Sequence, residues 1–367
     1  MAAKTTGISL DLLIHPGETL ADVLAERGIS QSALAVCTGV TPAFVSNVIS
    51  GKKDISANFA MALEYALGVP KTFWINLQAN YDAELLEATQ AESITESEFD
   101  AYRRLSEVAV RCEKNGVFAQ DNSTEARIIS LRRTLRISNV ANLDKAIPRG
   151  AFRLAQNRKL DPLVLGAWVR LCQIANEEVP VDGPFDPKNL PQLIGDLKTL
   201  MLQCPLNELQ ASLQEALAGF GIAFSIVRHF EKAPVHGYVA KRDDGTYTMA
   251  VTIQDHWEDV FWFSLFHEIG HIANSDVSPR QRELVDLGID QAQENRADAF
   301  ARNALIDPSA YSSFLAAGKF TYSEIERLAD EQRVKPCIVV GRLHREGILP
   351  TERFANRRPR IKWVDES

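Results

Sequence analysis

The fourteen residues from Val260 to Ala273, Val-Phe-Trp-Phe-Ser-Leu-Phe-His-Glu-Ile-Gly-His-Ile-Ala, are apolar on almost every side, yet they carry two histidines and a glutamate. A helix that is apolar all round is a buried helix. Burying three polar side chains inside it is costly unless each finds a partner. His267 and His271 are four apart, so on a helix both imidazoles share one face and can reach one metal ion. Glu268 lies beside them, where it can take a proton from water held by that metal. The alternative is a pair of core histidines bonded to backbone carbonyls; a metal supplies the partner more simply.

A site of this kind needs a third protein ligand and an open position. Downstream, Ala297, Phe300, Ala301, Ala304 and Leu305 fall at helical spacing and form an apolar stripe. Glu294 and Asp298 sit one turn apart beside it. Glu294 is the candidate third ligand, and Asp298 can accept the second ring N–H of a ligating histidine and fix its tautomer. Two histidines and one carboxylate favour Zn²⁺, with Mn²⁺ as an alternative. His229, His236 and His256 are near in sequence and are candidates for steadying an oxyanion, or are simply exposed loop histidines.

The set His267-Glu-x-x-His271, Glu294-x-x-Ala297-Asp298-x-Phe300-Ala301 and Leu305-Ile-Asp-Pro308 resembles the ImmA/IrrE family of metallopeptidases, over roughly residues 205–350. The resemblance implies a small zincin-like domain in which His267, His271 and Glu294 hold the metal and Glu268 is the general base. It also implies a protein substrate, a bacterial regulator or repressor. Glu258-Asp259-Val-Phe-Trp-Phe-Ser stands where many members have an Arg-Phe-Thr lead-in, and resembles a longer branch of the family linked to a helix-turn-helix. Upstream, Ile222–Val227 and Tyr247–Ile253 are strand-like, and Asp244-Gly245 is a hairpin signal between such runs. A small sheet beside the helix would hold an extended substrate by strand addition.

Residues 16–82 predict five short helices: Pro16–Arg27, ended by Gly28; Gln31–Thr38, capped by Ser30; Ala43–Ser50, started by Thr41 and Pro42; Ala57–Leu67; and Lys71–Asn80. The second and third, joined across Gly39-Val40, form the helix-turn-helix pattern. His15-Pro-Gly-Glu-x-Leu, Ser30-Gln-x-x-Leu-Ala, Ser46-Asn-x-Ile-Ser-Gly-Lys52 and Phe73-Trp-Ile-Asn-Leu-Gln-x-x-Tyr81-Asp82 resemble HigA-type antitoxins of the lambda-repressor-like class. That resemblance places Thr41, Ala43, Phe44, Ser46 and Asn47 near base edges of operator or promoter DNA, and Gln31, Lys52 and Lys53 near phosphates. Helix-turn-helix proteins often dimerise to match two half-sites, so a homodimer is expected, and the resemblance makes a toxin partner worth seeking. Residues 1–80 hold five basic side chains against six acidic ones, so phosphate neutralisation is weak for one copy, and either DNA binding needs a dimer or the module has become a protein-binding one.

The expected fold is therefore mainly α and multidomain. A five-helix lambda-repressor-like bundle (1–82) precedes a helical middle region (83–205), an α+β zincin-like metallopeptidase domain with a small sheet (206–350) and a basic tail (351–367). In the middle region, Glu84–Glu113 predicts a long exposed helix or a connector, and Val164–Asn176 a further helix; Ala126–Leu135 is basic and amphipathic, its Arg127, Arg132 and Arg133, with Arg136, reading as a solvated face or as contacts to nucleic acid; Asn176–Pro191 reads as loop. The tail residues Arg353, Arg357, Arg358, Arg360 and Lys362 allow three readings: phosphate binding, docking on an acidic surface of the same chain, or disorder. Five scattered cysteines with no Cys-x-x-Cys suit a reducing cytosol. The start has no signal-peptide pattern and no run is long enough to span a bilayer, so a cytoplasmic protein without a membrane partner is expected. A net charge of −8 argues against indiscriminate polyanion binding. Three functions fit: a regulator carrying a zinc endopeptidase; a non-enzymatic repressor or antitoxin whose metal domain is a sensor or structural element; or a peptidase that cuts its own connector near residues 83–125.

Overall fold

A computed structural model describes residues 12–117, 123–145, 151–154, 160–253, 256–277 and 291–361. The chain divides into two compact units, one formed by residues 12–99 with 123–133 and the other by the remaining described residues. The architecture is mainly helical with one small sheet. No single described helix is long and apolar enough to cross a membrane.

The first unit begins with α1 (Pro16–Arg27), α2 (Gln31–Thr38), α3 (Pro42–Ile49), α4 (Ala57–Leu67) and α5 (Lys71–Thr89). The starts and stops follow local chemistry. Ser30, Thr41 and Ser56 each accept a backbone N–H of the first turn they precede, and Gly28, Gly39 and Gly68 end their helices in the left-handed conformation. The His15-Pro-Gly sequence has a packing reason. His15 Nδ1 accepts the Gly17 N–H at 2.9 Å, capping α1, and its ring meets Tyr81 edge-on at 4.8 Å. A Cβ on Gly17 would sit 2.0 Å from the Val48 carbonyl oxygen, so only glycine lets α1 cross α3 this closely. Leu20, Leu34, Val45, Val48, Leu63 and Trp74 form the core beneath.

Two expectations for the connector fail. α5 runs nine residues beyond Asn80, to Thr89, because Tyr81–Thr89 contains no proline or glycine to stop it. The charged stretch that follows is not one exposed helix. It breaks at a 3₁₀ turn (Gln90–Ser93) and again at Leu105, giving α6 (Glu96–Arg104) and α7 (Ser106–Lys114). Ala101, Leu105, Val108, Ala109 and Cys112 are buried, at a spacing that was masked by the many charges between them. α8 (Thr124–Thr134) is basic but not a freely solvated face. Arg132 pairs with the fully buried Glu98 at 2.5 Å and Arg133 with Glu87 at 3.0 Å.

The second unit holds the sheet. β1 (Ala151–Leu154) is followed by α9 (Pro162–Glu177), α10 (Leu190–Gln203), α11 (Leu209–Ala218), β2 (Ile222–Ile226), β3 (Val235–Lys241) and β4 (Tyr247–Val251). The strand order is β1-β3-β4-β2. The hairpin expectation needs correction: the Asp244-Gly245 turn joins β3 to β4, which are antiparallel, whereas the two runs read as strands, β2 and β4, lie parallel with Ile222 opposite Tyr247. β3 was not legible as a strand because Val-His-Gly-Tyr-Val-Ala-Lys mixes polar and glycine positions into a strand buried along nearly its whole length. Alternation along β3 splits its side chains between two layers. Tyr238 faces α9, where its ring meets Trp168 at 6.4 Å, while Val239 joins the core around the next helix.

That helix is α12 (Glu258–Ala273), followed by α13 (Gln291–Leu305), α14 (Pro308–Ala317), α15 (Tyr322–Gln332) and α16 (Pro336–Arg345). α12 is buried on most of its surface, as its composition requires. Its two first-turn acids, well placed against the helix dipole, are each paired: Glu258 with Lys335 at 2.5 Å and Asp259 with Arg358 at 2.7 Å. Of the three readings of the basic tail, docking on the same chain describes residues up to 361. Arg358 and Arg360 lie over the Trp257 ring at 4.7 and 4.5 Å, Arg357 lies over Tyr322, and the Ile361 N–H bonds the His256 carbonyl. Lys362 lies outside the described residues.

Candidate metal centre

α12 and α13 meet at their smallest residues. A Cβ on Gly270 would fall 3.0 Å from the Ala297 Cα, so the two backbones are almost in contact there. This close crossing carries the histidines of one helix to the acids of the other. His267 Nε2 lies 3.2 Å from Glu294 Oε2, His271 Nε2 lies 3.3 Å from Glu294 Oε1, and the two Nε2 atoms are 3.1 Å apart. Both rings are buried, and Glu294 is mostly so.

The other ring nitrogen of each histidine is held by a carboxylate. His267 Nδ1 is 2.8 Å from Asp298 Oδ1, and His271 Nδ1 is 3.1 Å from Asp276 Oδ2. With Nδ1–H donated to those acids, each ring in its neutral form would turn an Nε2 lone pair toward the other ring and toward Glu294. Asp276 was missed in the sequence. α12 ends at Ala273, Ser275 takes a left-handed φ of 56°, and the chain folds back so that the Asp276 carboxylate reaches the ring of His271. Arg296 closes that side with a 2.6 Å bond to Asp276. The only local signal would have been an acid five residues after His271, which without the left-handed turn would mean nothing.

This donor set suits a divalent cation. Nitrogen and oxygen ligands about 2.0–2.2 Å from a tetrahedral Zn²⁺ stand about 3.3–3.5 Å apart; the two Nε2 atoms here are 3.1 Å apart, and each is 3.2–3.3 Å from its own oxygen of the Glu294 carboxylate. Two imidazole nitrogens and a carboxylate converge on one place, and each can offer a lone pair, an arrangement that a positive centre satisfies. Without an ion the same cluster attracts protons, which a bound cation would displace. Burial opposes ionisation of Glu294, but the hydrogen bonds and charge of His267 and His271 outweigh it and hold the carboxyl down at about 2. Burial likewise works against a charge on His271, and Glu294, Glu268 and Asp276 pull its pKa above the usual value.

Glu268 is completely buried beside this cluster. It lies against β3 at Gly237, where a Cβ would stand 2.2 Å from Glu268 Oε1. Gly237 therefore makes the room that the carboxylate occupies, a role that the sequence did not announce. Gly237→Ala is expected to destabilise the protein by about 1–3 kcal/mol through overpacking, read as a lower melting temperature; a native melting temperature would show that the carboxylate moves aside without cost. His236 is the neighbour of Gly237 on the strand, so its side chain points to the opposite layer, with Tyr238, away from Glu268. His229 is tied to Thr252 through its N–H at 3.1 Å, and His256 has a left-handed φ of 56° and a carbonyl bonded to Ile361.

In the front unit, α3 presents Ala43, Ser46 and Asn47 on one exposed face, with Thr41 at its start, while Val45 and Val48 point inward. Gln31 opens α2, and Lys52 and Lys53 follow α3; all three are exposed. Thr41 spends its hydroxyl on the Phe44 N–H at 3.1 Å. Phe44 departs from the expectation of a base-edge residue. It is half-buried against Phe59, edge-on at 5.0 Å, with Lys53 at 4.3 Å over its ring. An aromatic side chain one turn before Val48 is drawn to the core.

Residues 20–74 match the family model described as Helix-turn-helix. Virulence-associated protein I of Dichelobacter nodosus is 33% identical over 75 residues, which are 20% of this chain and 69% of that protein. Through this segment the chain belongs to the helix-turn-helix family. Virulence-associated protein A' of the same organism is 39% identical over 69 residues, 18% of this chain and 60% of that protein. Among solved structures, Pseudomonas aeruginosa antitoxin HigA with the higBA promoter is 35% identical, with 22% of this chain and 89% of that chain covered and a TM-score of 0.21.

Proposed function

We propose that this chain is a helix-turn-helix transcriptional regulator carrying a zincin-like, zinc-dependent endopeptidase in its second unit. The observation that carries the reading is the convergence of His267, His271 and Glu294, with the buried Glu268 at their side. His267 and His271 would hold the ion through Nε2 and Glu294 through its carboxylate. When bound, zinc supplies Lewis acidity toward water and toward the scissile carbonyl. Asp298 and Asp276 fix the ring orientations and keep the protons on Nδ1. Glu268, shielded from bulk water, takes the proton of the attacking water and passes it to the leaving amine. The substrate class is a protein, on the earlier resemblance a regulator or repressor. A comparison of all proteins in cells holding the native chain or Glu268→Gln tests this. A protein shortened only in the native cells is the substrate, a fragment of this same chain would mark self-cleavage, and identical patterns would overturn the peptidase reading.

For the front unit we infer operator or promoter binding, as a homodimer that supplies the phosphate contacts one copy lacks. The exposed Ser46 and Asn47 support it, as does the match of residues 20–74 to the helix-turn-helix family model. The native full-length chain is expected to shift a fragment of its own promoter at about 50 mM salt, and Asn47→Ala to weaken the shift by about tenfold. No shift by the native chain would defeat this part. The second reading, a non-enzymatic repressor or antitoxin with a metal-sensing domain, is favoured by the antitoxin-like front unit. It predicts normal regulation in cells carrying Glu268→Gln.

A further inference from the structure

The second unit contains a cavity distinct from the histidine–glutamate cluster. It has a volume of about 430 Å³ and lies between the first half of α12, the end of α13 and α16. That volume is within the range of small-molecule sites. Phe263, Leu305 and Ile338 give it apolar walls, but four arginines and only two acids also line it. The six charged groups are not equally committed. Arg358 clasps Asp259 with two bonds of 3.0 and 2.7 Å. Arg342 bonds Glu346 at 2.9 Å and lies 3.6 Å over the Tyr311 ring. Both acids are thereby neutralised. Arg302 forms no ion pair among the described residues. Arg345 is half-exposed, and its carboxylate contact is Asp298 at 3.9 Å, too long for a hydrogen bond.

Arg302 lies one helical turn beyond Asp298 on α13 and lines the same cavity as Arg345. An apolar chamber with two under-used guanidiniums is a site for a molecule with an anionic head and an apolar body. We propose that this cavity binds a small organic anion, a carboxylate or phosphate on an apolar body. Arg302 and Arg345 take the head, and Phe263, Leu305 and Ile338 take the body. Occupancy is communicated to the metal centre, because Arg345 also attends Asp298, which holds His267 at 2.8 Å. Drawing Arg345 onto the ligand leaves Asp298 a stronger acceptor for the His267 N–H, and so makes His267 a better donor. Only this communication rests on reading His267 as a metal ligand.

The test uses the full chain. Calorimetry in chelator, with metal absent, is expected to show binding of 4-phenylbutyrate or phenyl phosphate with a Kd near about 1 mM. Neither 4-phenylbutanol, which has the body without the charge, nor inorganic phosphate, which has the charge without the body, should match it. Arg302→Ala with Arg345→Ala should weaken binding at least about tenfold. Absence of binding by both aryl anions overturns the site, as does equal binding to the double variant. In a second arm, saturating ligand is expected to tighten Zn²⁺ binding by about fivefold in the native chain and not in Arg345→Ala. Ligand binding with unchanged zinc affinity overturns the communication, and a chain that takes up no zinc would count against the metal centre while leaving the first arm standing.

Discussion

Glu268→Gln is expected to lower the rate of substrate cleavage by about 10²–10⁴-fold while zinc content stays at one ion per chain. Glutamine fills the same space against Gly237 but cannot accept a proton from water or return it to an amine. The position allows no substitute: Glu268 is fully buried, and the other acids of the cluster are already spent, Asp298 on His267, Asp276 on His271 and Arg296, and Glu294 between the two rings. The measurement is the cleavage rate of the protein found in the cell-wide comparison, with zinc determined on the same preparation. Cleavage at the native rate with full zinc would remove Glu268 from the chemistry.

The second large effect is on the ion itself. Glu294→Ala is expected to lower zinc affinity by more than the roughly 10–100-fold that loss of a supporting hydrogen-bond partner costs. Asp298→Ala is expected to fall inside that smaller range. Glu294 is the donor that bridges both imidazoles, and although burial opposes its charge, His267 and His271 hold its carboxyl down at about 2, so it is an anion throughout the neutral range. Removing it leaves two neutral nitrogens and the open side of the site. Titration of the metal-free chain with zinc checks this. Native affinity in Glu294→Ala would place the third ligand elsewhere and undo the proposed geometry.

Much of this was readable in the chain because the chemistry is local. Four-residue spacing on a helix puts His267 and His271 side by side whatever surrounds them, and the same rule places Glu294 and Asp298 on one face of α13. The caps at Ser30, Thr41 and Ser56 bond within three residues of themselves, so the helices of the front unit start where their sequence says. Errors arose where the deciding partner is remote. The charge of Glu98 suggested solvent, but Arg132, 34 residues on, buries it. The strand-like run at β2 suggested a hairpin with β4, but β3 lies between them in sequence and takes the antiparallel place.

Residue type and periodicity alone determined that α12 must be buried, that two imidazoles share its face, and that a helix-turn-helix bundle opens the chain. Tertiary structure decided that α13 crosses α12 at Gly270 and Ala297, that a reversed turn returns Asp276 to His271, and that Gly237 makes room for Glu268. The difference is one of range: hydrogen bonds and side-chain faces within a helical turn follow from the backbone's own geometry, whereas the approach of two helices depends on which small residues happen to face each other after the whole core has packed.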